Sequence, residues 1–312
     1  MAPRRSLGAR FWSYQAVRFP LPGFIPLVTA FAFSSAAYSR VVRGAPGFIP
    51  WERFAVGAIT ALVFFFMLRV LDEHKDAEVD ARYRPELPVP SGLISLAELR
   101  WIGGSLVALT VVANALLAPP LLLAYLVVAV WASLMTKEFF VREWLRTHPT
   151  AYLLTHMAIM PAIDLYTTGL DWLAEGQPAP HGLVAFLIVT FLNGVLIEVG
   201  RKLRAPGEER EGVDTYTRAW GLRAAPTVWI ATLLGSAGFA WLAARDTGTA
   251  GVTLAFLIPA ALLCAWPAVS FLRRPDRRSA AQAETASQLW PLFTYLLLGA
   301  APYVMRLLGS AR

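Results

Sequence analysis

Pro119-Pro120-Leu121-Leu-Leu-Ala-Tyr-Leu-Val-Val-Ala-Val-Trp-Ala-Ser-Leu-Met135 carries no charged side chain. Residues 98–117, just before it, are nearly as apolar, and only the two prolines interrupt what would be one long hydrophobic rod. Proline has no N–H to donate and its ring collides with the preceding helical turn. The stretch therefore reads as two helices joined by a tight turn. Each approaches the length that crosses a hydrocarbon layer, about 20 mostly apolar residues. Segments of the same character recur at 20–39, 52–71, 150–170, 182–200, 225–244, 250–271 and 287–308. With 98–117 and 119–137 they make nine expected spans. None alternates as a barrel strand does, so the expected fold class is all-α: a polytopic bundle of about nine transmembrane helices.

Composition agrees. In 312 residues the hydrophobic share is 56% and the charged share 16%, with mean hydropathy +0.51. Soluble domains have roughly 45–50% and about 25%. Cys264 is the only cysteine and sits in an apolar run, which excludes a disulfide scaffold and a thiolate zinc site. No cleavable signal peptide is expected, because the basic start has no small-residue cleavage site after a short apolar core.

The net charge of +7 would suggest nucleic acid in a soluble protein, but here it has a topological explanation. With nine spans, 22 of the 28 Lys and Arg residues fall with the N-terminus and the even-numbered connections, and 6 fall opposite. The positive-inside rule then puts the N-terminus and the basic loops in the cytoplasm and the C-terminus outside, in an inner or plasma membrane. No nucleic-acid partner is expected; membrane lipids are. The expected organisation is a cytoplasmic segment over 1–19 and one transmembrane domain over 20–312.

The chemistry concentrates in Arg69-Val-Leu-Asp72-Glu-His-Lys75-Asp76-Ala-Glu-Val-Asp80-Ala-Arg82-Tyr-Arg84. Asp72, Asp76 and Asp80 recur every four residues, so a continuous helix would project them from nearly one face. Three like charges on one stripe are unfavourable unless a cation covers them. Carboxylates without thiols or imidazoles suit a hard ion, and Mg²⁺ is usual where phosphate shares the shell. Arg69, Lys75, Arg82 and Arg84 lie beside the stripe and have the geometry to bind diphosphate oxygens. A solvated, salt-bridged helix end is the bland alternative.

A second charged cluster follows the sixth span: Glu198, Arg201, Lys202, Arg204, then Pro206-Gly207-Glu208-Glu209. Glu198 lies in an apolar run, where an ionisable group is a functional candidate unless it merely pairs with Arg201. The Pro-Gly break would let Glu208 or Glu209 turn back toward a pocket, or leave them in a solvated loop. Lys137 closes the fourth span, either reaching the same pocket or anchoring the helix among headgroups. His156 and Asp164, both in the fifth span, are expected as an interior polar pair.

These clusters resemble the UbiA superfamily of intramembrane prenyltransferases. Asp72-Glu73-x-x-Asp76-x-x-x-Asp80 is similar to that family's Asn-Asp-x-x-Asp-x-x-x-Asp signature. Pro88-Val-Pro90-Ser91-Gly92 resembles its Pro-Leu-x-Ser-Gly turn, and Gly212 to Gly221 resembles the stretch closing its second signature. Asp72 replaces the usual Asn and Glu73 the usual Asp, both oxygen donors. Leu87 stands where Arg is common. The second signature's paired aspartates are missing; Arg204 and Glu208 occupy their positions.

The resemblance implies a central apolar cavity capped by carboxylates. It also implies Mg²⁺-dependent transfer of a polyprenyl group from an isoprenyl diphosphate to an aromatic or other lipophilic acceptor. Asp72, Asp76 and Asp80 would be the catalytic metal carboxylates, joined by Glu198 and Glu208. Arg69, Lys75, Arg82, Lys137, Arg201 and Lys202 would contact the diphosphate. A membrane-embedded terpene cyclase would use the same ionisation without an acceptor. A transporter with an acidic ion site would instead need interrupted half-helices at midplane.

Overall fold

The computed structural model describes residues 6–209 and 213–310. Gly212, at the start of the stretch compared with the second signature, lies outside the described residues, as do Arg4, Arg5, Arg210 and Arg312 of the charge asymmetry. Among the described residues every regular element is helical.

The chain opens on α1 (Leu7–Arg18), then α2 (Leu21–Val42), α3 (Trp51–Lys75), the short α4 (Ala77–Tyr83), α5 (Leu96–Leu117) and α6 (Leu121–Thr136). Next come α7 (Arg142–Thr147), α8 (Pro149–Met157), α9 (Ile159–Gly169), α10 (Leu183–Arg201), α11 (Tyr216–Asp246), α12 (Ala250–Arg273), α13 (Arg277–Tyr295) and α14 (Ala301–Ser310). Among the described residues seven helices are long and apolar enough to span a membrane, the last running through α13 and α14. An eighth expected span is α6, at 16 residues shorter than the rest. The expected span over 150–170 is two helices in series, broken at Ala158. Pro161 explains the break, since it cannot donate to the carbonyl four residues back and its ring crowds that turn.

Helix ends follow local chemistry. Ser95 and Glu98 form a capping box at the start of α5, with Ser95 Oγ accepting from Glu98 N at 3.2 Å and Glu98 accepting from Ser95 N at 2.9 Å. The helix stops before Pro119-Pro120 as the sequence demands. In α11, Gly221 takes φ 93°, a left-handed value that kinks the first turn away from the long span.

Leucines such as Leu109, Leu116, Leu123, Leu262 and Leu263 stay exposed on the outer helix faces. In water that would be an aggregation surface; facing lipid it is the expected solvent contact. This is an integral membrane protein. Its helices are held by buried polar ties, because lipid offers little hydrophobic drive between apolar helices. Asn114 donates to Thr60 at 3.0 Å and accepts from Tyr166 at 2.7 Å, joining α5 to α3 and α9. Asn193 joins α10 to Ser236 of α11 and Thr294 of α13. Trp229 donates to Ser287 and Trp290 to Ser236. Asp164, fully buried in α9, accepts from Ser35 of α2 at 2.8 Å and from Tyr295 of α13. Just after Tyr295 the chain makes a π turn over Leu296–Ala300, where Gly299 packs so tightly that a Cβ would fall 1.9 Å from Ser34 O.

Candidate active site

The C-terminal ends of α3, α6 and α10 and the start of α11 gather the charged side chains. Helix α3 stops at Lys75 and Asp76 takes φ −95° and ψ 4°, so the chain bends there before α4. Backbone bonds still link the turns, from Asp76 N to Asp72 O at 2.9 Å and from Asp80 N to Asp76 O at 2.8 Å. The bend nevertheless takes the three aspartates off a single stripe. Asp72 is open, its side chain 56% exposed, with Arg69 at 3.4 Å. Asp76 is half-buried, and burial lifts its carboxyl above the usual carboxylate range; Lys75 opposes the lift and Asp80 adds to it. Asp80 turns inward, 3% exposed, paired with Arg84 and 3.8 Å from Arg18.

Glu73, one residue on from Asp72, points to the other side of the helix. It is 1% exposed and held by Arg18, by Tyr14 Oη at 3.4 Å and by Arg69 at 3.5 Å. Lys75 is also committed, to Glu138 at 2.7 Å and Tyr152 Oη at 3.0 Å. Glu138 reaches it from an unusual turn after α6: Glu138, Phe139 and Phe140 all have positive φ (48°, 52° and 61°). Such values cost an L-residue about 1–2 kcal/mol each. The turn persists because the ion pair holds one end and Phe139 packs against Trp131 and His156.

Beside Asp72 and Lys75 lies a small pocket of about 20 Å³, lined also by Leu68, Leu71, Ala132, Met135, Thr136 and His156. His156 stacks on Tyr152 with centroids 3.8 Å apart. Its Nδ1 lies 2.9 Å from Tyr152 O, a carbonyl that can only accept, so Nδ1 carries a proton. The other ring nitrogen, Nε2, is buried without a hydrogen-bond partner.

Across the mouth, Glu198 is buried and held by Arg201 and by Lys202 at 2.9 Å. Tyr152, which accepts from Lys75 at 3.0 Å and lies under Lys202, links the two charged clusters. Lys202 lies over the rings of Tyr152 at 6.0 Å and Tyr216 at 5.6 Å. The remaining sequence candidates sit further out. Arg82 is exposed with its guanidinium over Tyr83, and Lys137 is exposed at the end of α6. Glu208, 43% exposed, has Arg277 at 3.8 Å. Glu209 accepts from Thr215 and Thr217 and so shapes its own loop. His156 and Asp164 are both interior, each with its own partners: His156 against Tyr152, and Asp164 against Ser35 and Tyr295.

Among the described residues no three carboxylate, imidazole or thiolate side chains converge on one point. Mg²⁺ usually takes one or two carboxylates and fills the rest of its shell with water and substrate phosphates. Asp72 and Asp76 are the accessible pair with that chemistry. Sequence reasoning missed Arg18 and Tyr152. Tyr152 had a signal, its position one helical turn before His156. Arg18 had none, because its partners are more than fifty residues away.

The opposite end of the bundle is also charged, and there Val42, Arg43 and residues 177–181 line a pocket of about 340 Å³. Arg40 and Arg43 grip Asp171 and Glu175, and Arg53 adds a contact at 3.5 Å. Burial raises Glu175, but the two arginines outweigh it and hold the carboxyl below its usual range.

The model of the UbiA prenyltransferase family matches residues 27–305. Among solved structures, one of digeranylgeranylglyceryl phosphate synthase is similar, with a TM-score of 0.60 at 13% identity over 95% of this chain and 99% of that one. A UbiA homolog from Archaeoglobus fulgidus has a TM-score of 0.49 at 11% identity, covering 93% and 99%. At such identities the likeness is one of fold. No curated protein matches the sequence.

Proposed function

The chain belongs to the UbiA prenyltransferase family, and from that premise we propose that it is a Mg²⁺-dependent intramembrane prenyltransferase. It moves a polyprenyl group from an isoprenyl diphosphate to an aromatic or other lipophilic acceptor. The observation that supports this most is the gathering of Asp72, its partner Arg69 and Lys75 beside a pocket that Leu68, Leu71, Ala132 and Met135 line on its apolar side.

Asp72 and Asp76 would hold the metal, which when bound neutralises charge on the departing diphosphate. Arg69, Arg201 and Lys202 bind and orient the diphosphate oxygens; cations preorganised where negative charge develops lower the barrier. Lys137 and Arg82 sit at the rim and attract the anionic headgroup on approach. Glu198 keeps Arg201 and Lys202 in position, and Glu138 does the same for Lys75. Leu68, Leu71, Ala132 and Met135 exclude water from the allylic carbon, and the rings of Tyr152 and Tyr216 stabilise its developing positive charge. Asp80 and Glu208 contribute through their ion pairs, with Asp80 anchoring α4 and Glu208 the loop before α11.

The acidic end faces the cytoplasm, as the basic asymmetry requires, with the C-terminus outside an inner or plasma membrane. One transmembrane domain over 20–312 follows the segment 1–19. Mass spectrometry of lipids from cells with and without the protein tests the function. A prenylated acceptor present only with the protein is the expected result. A cyclic hydrocarbon or alcohol formed from farnesyl or geranylgeranyl diphosphate alone would make it a cyclase.

A further inference from the structure

We propose that α1 is a strap that fixes the bend at Asp76, with Arg18 as its positioning residue. The inference rests on the reading of Asp72 and Asp76 as metal carboxylates.

The family match begins at residue 27, after α1. Yet α1 is firmly docked. Phe11 and Phe19 pack edge-on against Phe66 of α3 at 5.9 and 5.5 Å, Tyr14 is fully buried, and Arg10 bonds Glu98 of α5 at 2.9 Å. From this base Arg18 reaches into the acidic segment. Its Nε binds Glu73 of α3 and its Nη2 lies 3.8 Å from Asp80 of α4.

Among the described residues, the other cations in ion-pair contact with these acids come from the same stretch of chain as the acid itself. Arg69 contacts Asp72 and Glu73 within α3, and Arg84 contacts Asp80 at the end of α4. They stiffen each side of the bend without fixing the angle between the sides. Among the described residues, Arg18 is the cation shown in contact with both. A guanidinium does this well because its donors form a rigid fork. Both acids are buried, so neither can relax into water when the bridge is lost. Asp72 and Asp76 share the last turn of α3, through Asp76 N to Asp72 O at 2.9 Å, so the angle instead sets where Asp80 and Arg84 of α4 stand beside that pair. Arg18 therefore sets the charges that flank the metal carboxylates without touching the carboxylates.

The test uses the full-length protein in nanodiscs with Cys264→Ser. Spin labels at exposed Ile59 of α3 and exposed Val79 of α4 report the bend without metal. The melting temperature under Mg²⁺ titration in excess inorganic diphosphate reports the site. Arg18→Gln should broaden the label distance distribution and raise the Mg²⁺ midpoint about tenfold, a change of about 1.4 kcal/mol. Arg18→Lys should recover less than half of the shift, since an ammonium cannot bridge as a fork does. Because Arg18→Gln strands a buried charge, Arg18→Gln/Glu73→Gln is the decisive variant. It should regain the wild-type melting temperature without metal and still show the broad distances and the raised midpoint. A double variant with wild-type distances and midpoint overturns the strap, leaving Arg18 as a counter-ion for Glu73. Broadened distances in a protein whose wild type ignores Mg²⁺ and diphosphate would keep the strap and reject the metal reading.

Discussion

Asp76→Asn removes one charge at the corner between α3 and α4 and leaves the shape intact. The Asp76 side chain makes no capping hydrogen bond, and the bonds that carry the backbone through the bend use main-chain atoms only. Burial already disfavours its charged form, so the neutral amide costs the fold nothing. The loss falls on chemistry. Removing one preorganised electrostatic group from a reacting site lowers the rate about 10²–10³-fold, or about 2.7–4 kcal/mol. Initial rates of diphosphate release at saturating isoprenyl diphosphate, measured across a Mg²⁺ titration, should show that drop at every metal concentration. Glu208→Gln is the matched control. Glu208 is exposed and faces Arg277, so its rate should stay within about threefold of wild type by the usual weakness of exposed pairs. A well-folded Asp76→Asn protein with wild-type rates would refute the assignment of this corner to metal. Equal, severe losses in both variants would move Glu208 into the site.

Excess chelator should abolish turnover and added Mg²⁺ restore it; full activity in chelator contradicts the metal requirement. A reporter fused after residue 312 should be extracytoplasmic and one inserted near Pro206 cytoplasmic, and reporters on the same side would break the nine-span topology. Asp164→Ala should lower the melting temperature while leaving the Mg²⁺ midpoint unchanged, because it leaves Ser35 and Tyr295 without their shared acceptor far from the acidic end. With interhelical bonds averaging about 0.6 kcal/mol, the loss is about 1–2 kcal/mol.

The spans were legible because hydrophobic length is a local property, read residue by residue. Where local chemistry competes with length, the reading slipped. Residues 150–170 have the composition of one helix, but Pro161 divides them into two. The four-residue spacing of Asp72, Asp76 and Asp80 was correct as spacing. Its translation into one stripe assumed a continuous helix, and the bend at Asp76 turns Asp80 toward Arg84 and Arg18. Contacts such as Arg18 with Glu73, or Lys75 with Glu138, join residues more than fifty apart. A single sequence carries no signal for them. The resemblance to a prenyltransferase family was visible from one signature, while the substitutions in the second left its ligands open.

Release of inorganic diphosphate by the purified protein in liposomes, supplied with isoprenyl diphosphates of graded chain length, tests the central claim most directly. Mg²⁺-dependent release that accompanies formation of a prenylated acceptor, and is lost in Asp76→Asn, is the expected result. No release at any chain length, with Mg²⁺ and a lipophilic acceptor extract present, would contradict it.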